Sequence, residues 1–137
     1  MKKYFALLFL TVLLAGCAAP TEAPAANPAT GNTRPALTDP AQPIEVQAGE
    51  TFNIVIDSNP STGYHWDFTG ELDGTVVEFV SSNYTADEPV APGSGGVDVW
   101  IFKAVSAGEA QITLGNYPPG VTTGEPENSV TFDIVVK

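Results

Sequence analysis

The sequence predicts an all-β domain, an immunoglobulin-like antiparallel β-sandwich of about seven strands, carried behind a leader and a linker. Three observations lead there. Apolar residues alternate with polar ones in one short run after another from residue 44 onward. Turn residues recur every ten or so positions between those runs. No stretch of this region repeats its apolar residues with helical spacing. A small closed barrel is the alternative arrangement of the same strands.

The elements follow in order. Ile44, Glu45 and Val46 open the domain, and Ala48-Gly49-Glu50 turns the chain into a strand over 51–57, where Phe52, Ile54 and Ile56 share one face. A second strand over 64–69 places Tyr64, Trp66 and Phe68 in phase, and residues 70–74 make a turn. Residues 76–84 form a strand with Val77 and Phe79 facing in. A loop carrying Pro89, Pro92, Gly93, Gly95 and Gly96 comes next. Residues 97–105 are apolar on both faces, as expected of a central strand covered on two sides. Ala107-Gly108-Glu109 leads into Ala110, Ile112 and Leu114. A long polar loop over 116–128 follows, and Val130, Phe132, Ile134 and Val136 close the chain. Both tryptophans are in phase with apolar neighbours and are expected in the core rather than as ligand-stacking platforms.

The 137 residues fit one domain with an N-terminal extension. Lys2 and Lys3 precede an apolar run ending in Leu14-Ala15-Gly16-Cys17, which has the charge, length and small-residue end of a signal peptide over 1–16. The run is too short to span a bilayer comfortably as a transmembrane anchor. Its end resembles the bacterial lipobox, which implies cleavage before Cys17 and lipidation of that cysteine. The resemblance places the chain in the cell envelope, lipid-anchored outside the cytoplasm: outer membrane or periplasm in a Gram-negative cell, cell surface otherwise. Residues 17–43, rich in Ala, Pro and Thr, carry too little apolar surface to offset ordering entropy and read as a disordered tether. Its reach would be roughly 30 Å as a flexible coil and about 80 Å when extended.

Cleavage after residue 16 removes two of five cations and none of the sixteen acids. A chain so acidic has no basic patch with which to neutralise phosphates, so nucleic acid is not an expected partner. Cys17 is the sole cysteine, which leaves the domain without a disulfide, a thiolate nucleophile or a cysteine metal site. A monomer without cofactor is expected.

The stretch Asn59-Pro60-Ser61-Thr62-Gly63-Tyr64 joins the strands at 51–57 and 64–69. Pro60 fixes its own φ and biases Asn59 towards extended backbone, while Gly63 can take positive φ at no steric cost. Asn59, Ser61 and Thr62 can hydrogen-bond nearby backbone. Taken alone this is ordinary turn chemistry; as a loop held in one shape it also suits binding.

Asn59 to Tyr64 followed by Trp66 resembles the Asn-Pro-Thr-Thr-Gly-Phe/Tyr signature of the chagasin-type inhibitors of papain-like cysteine peptidases, with Ser61 in place of the first Thr. Some thirty residues on, Gly93-Ser94-Gly95-Gly96 matches that family's Gly-x-Gly-Gly loop. Trp100, Phe102, Lys103 and Ala104, then Ala107-Gly108, Ile112 and Leu114, resemble its aromatic strand, turn and strand. The similarity covers nearly all of residues 44–137. It implies an immunoglobulin-like sandwich with three loops side by side at one end, forming a wedge that enters the peptidase cleft and blocks it reversibly and competitively. By the resemblance, residues 59–64 are the central loop across the catalytic Cys and His, with Tyr64 anchoring its exit. Residues 93–96 are a flanking loop whose glycines let backbone approach the enzyme. In the third loop the family usually has Arg-Pro-Trp; here the corresponding stretch is Tyr117-Pro118-Pro119-Gly120, which keeps a Pro, lacks the Arg and Trp, and offers Tyr117 as the nearby aromatic.

Two other function classes compete with an inhibitor. One is a non-inhibitory cell-envelope binding or scaffolding lipoprotein that keeps the sandwich, which the absent Arg-Pro-Trp and the tether favour. The other is an enzyme or metal protein. His65 is the sole histidine, lacks a cysteine partner and should point outward beside Tyr64 and Trp66. Asp57, Asp67 and Asp98 could gather near the loop end, but they follow neither calcium-loop nor His-rich spacing.

Overall fold

The computed structural model describes residues 34–137, so the leader, Cys17 and the first part of the expected tether lie outside the described residues. Seven strands follow one another: β1 (Ile44–Val46), β2 (Thr51–Ser58), β3 (His65–Phe68), β4 (Val77–Ala86), β5 (Gly96–Ala104), β6 (Gly108–Tyr117) and β7 (Asn128–Val136). They form two sheets, one ordered β1-β7-β6-β3 and the other β2-β5-β4. Every pairing is antiparallel except that of β1 with β7, which is parallel, so the antiparallel expectation fails at that edge.

The interior forms because the alternation of each strand points one row of apolar side chains into the space between the sheets. Phe52 stacks on Phe102 at 5.5 Å, and Phe68 meets Phe79 and Trp100 edge-on, each at 5.2 Å. Ile54, Ile112, Leu114, Phe132 and Ile134 complete the layer from both sheets. The β4–β5 register slips between Phe79 and Ser81, a bulge that leaves Val80 exposed. Phe79 faces inward in phase with Val77, and past the extra residue the positions opposite the inner row of β5 become Ser82 and Tyr84.

β5 is central in its sheet, and its inner row of Trp100, Phe102 and Ala104 is buried. Its outer row is not covered by a second layer along its length, since Val99 and Ile101 are only half-buried. Val97 is fully buried, and so nearly is Val55 on β2, yet neither belongs to the cluster between the sheets. The residues before β1 bear on this. Thr38 donates its N–H to the Val55 carbonyl at 2.9 Å, and its hydroxyl oxygen accepts the Val55 N–H at 2.9 Å. Arg34 pairs with Asp57 on β2 and, at 3.0 Å, with Asp87 just beyond β4. Residues 34–38, expected as part of a disordered tether, are instead held to the β2-β5-β4 sheet through Arg34 and Thr38. The reason is local: β2 is an edge strand with unpaired backbone groups, and Thr38 satisfies a pair of them.

Candidate functional site

Strand topology decides what meets at each end of the sandwich. Ser58, the last residue of β2, is opposite Gly96, the first of β5, which is also opposite Ala86, the last of β4. On the other sheet His65 is opposite Tyr117, and Asn116 is opposite Asn128. The connections β2–β3, β4–β5 and β6–β7 therefore leave from one end. These are the segments 59–64, 87–95 and 118–127.

The first is the most tightly built. Pro60–Thr62 makes a single 3₁₀ turn closed by Gly63, whose φ is 83°. Gly63 donates its N–H to the Pro60 carbonyl at 3.0 Å, and Thr62 donates its N–H to the Asn59 carbonyl at 3.1 Å. The Thr62 hydroxyl donates to that same carbonyl at 2.7 Å, and the Ser61 hydroxyl donates to Asn59 Oδ1 at 2.5 Å. Of the three polar side chains expected to bond nearby backbone, Thr62 restrains the loop's own, whereas Ser61 bonds the Asn59 side chain. At the loop's root the Trp66 indole N–H donates to the Asp57 carbonyl at 2.9 Å, linking β3 to β2 across the sheets.

This loop touches both of its neighbours. Asn59 Nδ2 donates to the Gly93 carbonyl at 3.3 Å. A Cβ on Gly95 would lie 3.3 Å from the Ser58 carbonyl oxygen and 3.9 Å from Asn59 Cβ. On the other side a Cβ on Gly63 would fall 2.8 Å from Pro119 Cγ. Segment 59–64 therefore lies between the other two. Tyr64 adds a further tie: hydrogen bonding to the Glu127 carboxylate, and then its charge, raise the phenol above its ordinary value.

The flanking segments are shaped by different means. In the β4–β5 connection, Ser94 caps a turn by donating its hydroxyl to the Ala91 carbonyl at 2.8 Å, and Asp87 donates its N–H to the Gly95 carbonyl at 3.0 Å. Gly96 is buried under the Tyr84 ring, where a Cβ would stand 2.8 Å from Tyr84 Cε2 and overlap the Thr85 carbonyl. Gly96 thus serves packing, so the expectation that all the loop's glycines open backbone to a partner does not hold for it. In the β6–β7 connection, Pro119 and Gly120, with φ of 78°, are the central residues of a tight turn closed by Val121 N–H to the Pro118 carbonyl at 3.1 Å.

Tyr117 departs from expectation most clearly. It is the last residue of β6, 7% exposed, with its ring 5.8 Å from that of His65 and its hydroxyl 3.3 Å from that of Thr69. Its side chain packs on the outer face of its own sheet and offers no aromatic surface at the loop end. His65, expected to face solvent, is half-buried in that stack. The acids do not converge either: Asp57 is engaged by Arg34, and Asp67 lies on the other sheet opposite Gly115. Among the described residues no group of three metal-binding side chains occurs.

Sequence reasoning missed Val90, an apolar side chain 69% exposed on the β4–β5 connection. An isolated Val in a Pro-rich loop gives no periodic signal. A cleft of about 450 Å³ opens beneath the three segments, with Asp57, Asn59, Asp87 and Glu127 among its lining residues.

Comparison with known proteins bears on this arrangement. The chagasin family peptidase inhibitor model matches residues 45–136. A prokaryotic membrane lipoprotein lipid attachment site matches residues 1–18. A crystal structure of a cysteine protease inhibitor from Entamoeba histolytica is 25% identical, with a TM-score of 0.56, covering 69% of this chain and 85% of that one. The solution structure of Amebosin is 27% identical with a TM-score of 0.54, covering 69% and 87%. No curated protein sequence matches significantly. Among the described residues no helix is long and apolar enough to cross a membrane.

Proposed function

The chain belongs to the chagasin family of peptidase inhibitors, and from that premise we propose how it inhibits papain-like cysteine peptidases: by occluding the cleft with the three connections at one end of its sandwich. It is a lipoprotein of the cell envelope, anchored through its attachment site, and not an enzyme. The observation that carries the occlusion reading is the seating of Asn59–Tyr64 between its two neighbours, held to one by Asn59 and packed on the other through Gly63 and Pro119.

Inhibition of this kind needs no chemistry from the inhibitor. A loop already shaped by its own hydrogen bonds loses little conformational entropy on docking, so more of the contact energy appears as affinity. Asn59, Pro60, Ser61, Thr62, Gly63 and Tyr64 would lie across the catalytic Cys and His of the enzyme. Gly93, Ser94 and Gly95 would flank one side and Pro118, Pro119 and Gly120 the other. With Tyr117 withdrawn, apolar contact at the flanks falls to Val90 and Pro119, both exposed. Binding is reversible and competitive, the chain acts as a monomer, and it takes no nucleic acid and no cofactor.

The test is titration of papain and several cathepsin-like enzymes with the mature chain. The expected result is inhibition that rising substrate concentration relieves. A folded protein without effect at tens of micromolar would overturn the proposal.

A further inference from the structure

Residues 34–38 lie before the segment that matches the family, yet they are attached to the roots of two of the three tip connections. Asp57 is two residues before Asn59, at the end of β2. Asp87 begins the β4–β5 connection and holds it closed through its N–H to the Gly95 carbonyl. Both carboxylates line the cleft beneath the tip. Arg34 reaches both at once, so one guanidinium ties the root of the central loop to the root of its flanking loop. Thr38 holds the same stretch to the free edge of β2.

The charge balance makes this bridge consequential. After residue 16 the chain has three cations, Arg34, Lys103 and Lys137, against sixteen acids. Lys137 pairs with Glu45 at the opposite end of the sandwich. Without Arg34, the two carboxylates at the loop roots would repel across the cleft, and the guanidinium would no longer hold Asp87 against the sheet. Its planar fork can serve two acceptors, which a lysine does less well.

We propose that Arg34 is a positioning residue of the inhibitory tip, and that the strap 34–38 cross-braces the central and β4–β5 loops into their binding arrangement. This rests on the occlusion reading above. The strap makes the tether a working part of the inhibitor and not merely its leash.

The test uses the full mature chain with Arg34→Gln, Arg34→Lys and the double variant Arg34→Gln with Asp87→Asn. Two quantities are read: hydrogen exchange of the backbone amides at positions 87 and 63 in the free protein, and the inhibition constant against papain. Arg34→Gln should speed exchange and weaken inhibition, each about fivefold, with Arg34→Lys in between. Removing the second charge in the double variant should restore most of both, which a loss of mere packing would not do. Exchange in Arg34→Gln identical to the parent would overturn the brace whether or not the parent inhibits papain. A loss that Asp87→Asn fails to restore would also overturn it. Absence of inhibition by the parent, with exchange responding as stated, would instead count against the occlusion reading alone.

Discussion

Gly63 is the residue on which most of the tip geometry turns. Its φ of 83° is a conformation that costs an L-residue roughly 1–2 kcal/mol, and any side chain there meets Pro119. Gly63→Val should therefore push the central loop off the β6–β7 connection and weaken inhibition at least about tenfold, a loss of about 1.4 kcal/mol or more. Inhibition unchanged in that variant would move the contact surface elsewhere. Tyr64 offers a second handle. Because its phenol is raised by Glu127, the folded chain favours the neutral form. The resulting stabilisation is present below the ordinary value of 10.0 and is lost as pH climbs through the raised folded value. Glu127→Gln should bring the Tyr64 titration, followed by ring resonances, back towards 10.0; no movement would deny the tie between these loops. At this scale the sequence was legible where a residue acts on its own backbone, as Pro60, Thr62 and Gly63 do. It was opaque where the partner is remote: nothing near Tyr117 in the chain says that Thr69 and His65 will bury its ring.

The seven strands were readable because alternation survives wherever one face is buried, and here the buried rows of both sheets follow it closely. What alternation could not supply was pairing. β1 reads as any short strand would, and only its place beside the last strand makes it parallel. The two apolar rows of β5 suggested cover on both sides, whereas the outer row is sheltered only near Val97, where Arg34 and Asp57 lie close. The start of β5 carries a prediction of its own. Gly96 passes beneath Tyr84 and the Thr85 carbonyl, which is backbone and cannot easily give way. Gly96→Ala should cost about 1–3 kcal/mol of stability by forcing β4 and β5 apart, read as a lowered denaturation midpoint at unchanged slope. A stability equal to the parent's would mean that the β4–β5 pairing ends before this residue.

Considered whole, the molecule is a two-sheet sandwich with its working loops at one end and its lipid attachment reached through a chain that also arrives at that end. Sixteen residues lie between Cys17 and Arg34, so covalent geometry alone keeps Arg34 within about 60 Å of the anchor. A peptidase engaged by the tip is thereby held near the membrane. The linker's composition reads as free chain, and the docking of its last residues was hidden because one arginine and one threonine carry no periodic signature. Occlusion requires the tip to fill the enzyme's cleft. The most direct measurement is calorimetric titration of the mature chain against two forms of papain, one free and one with its cleft filled by a covalently attached peptide. Under occlusion, only the free enzyme should bind. Equal binding to both would place the contact outside the cleft and contradict it.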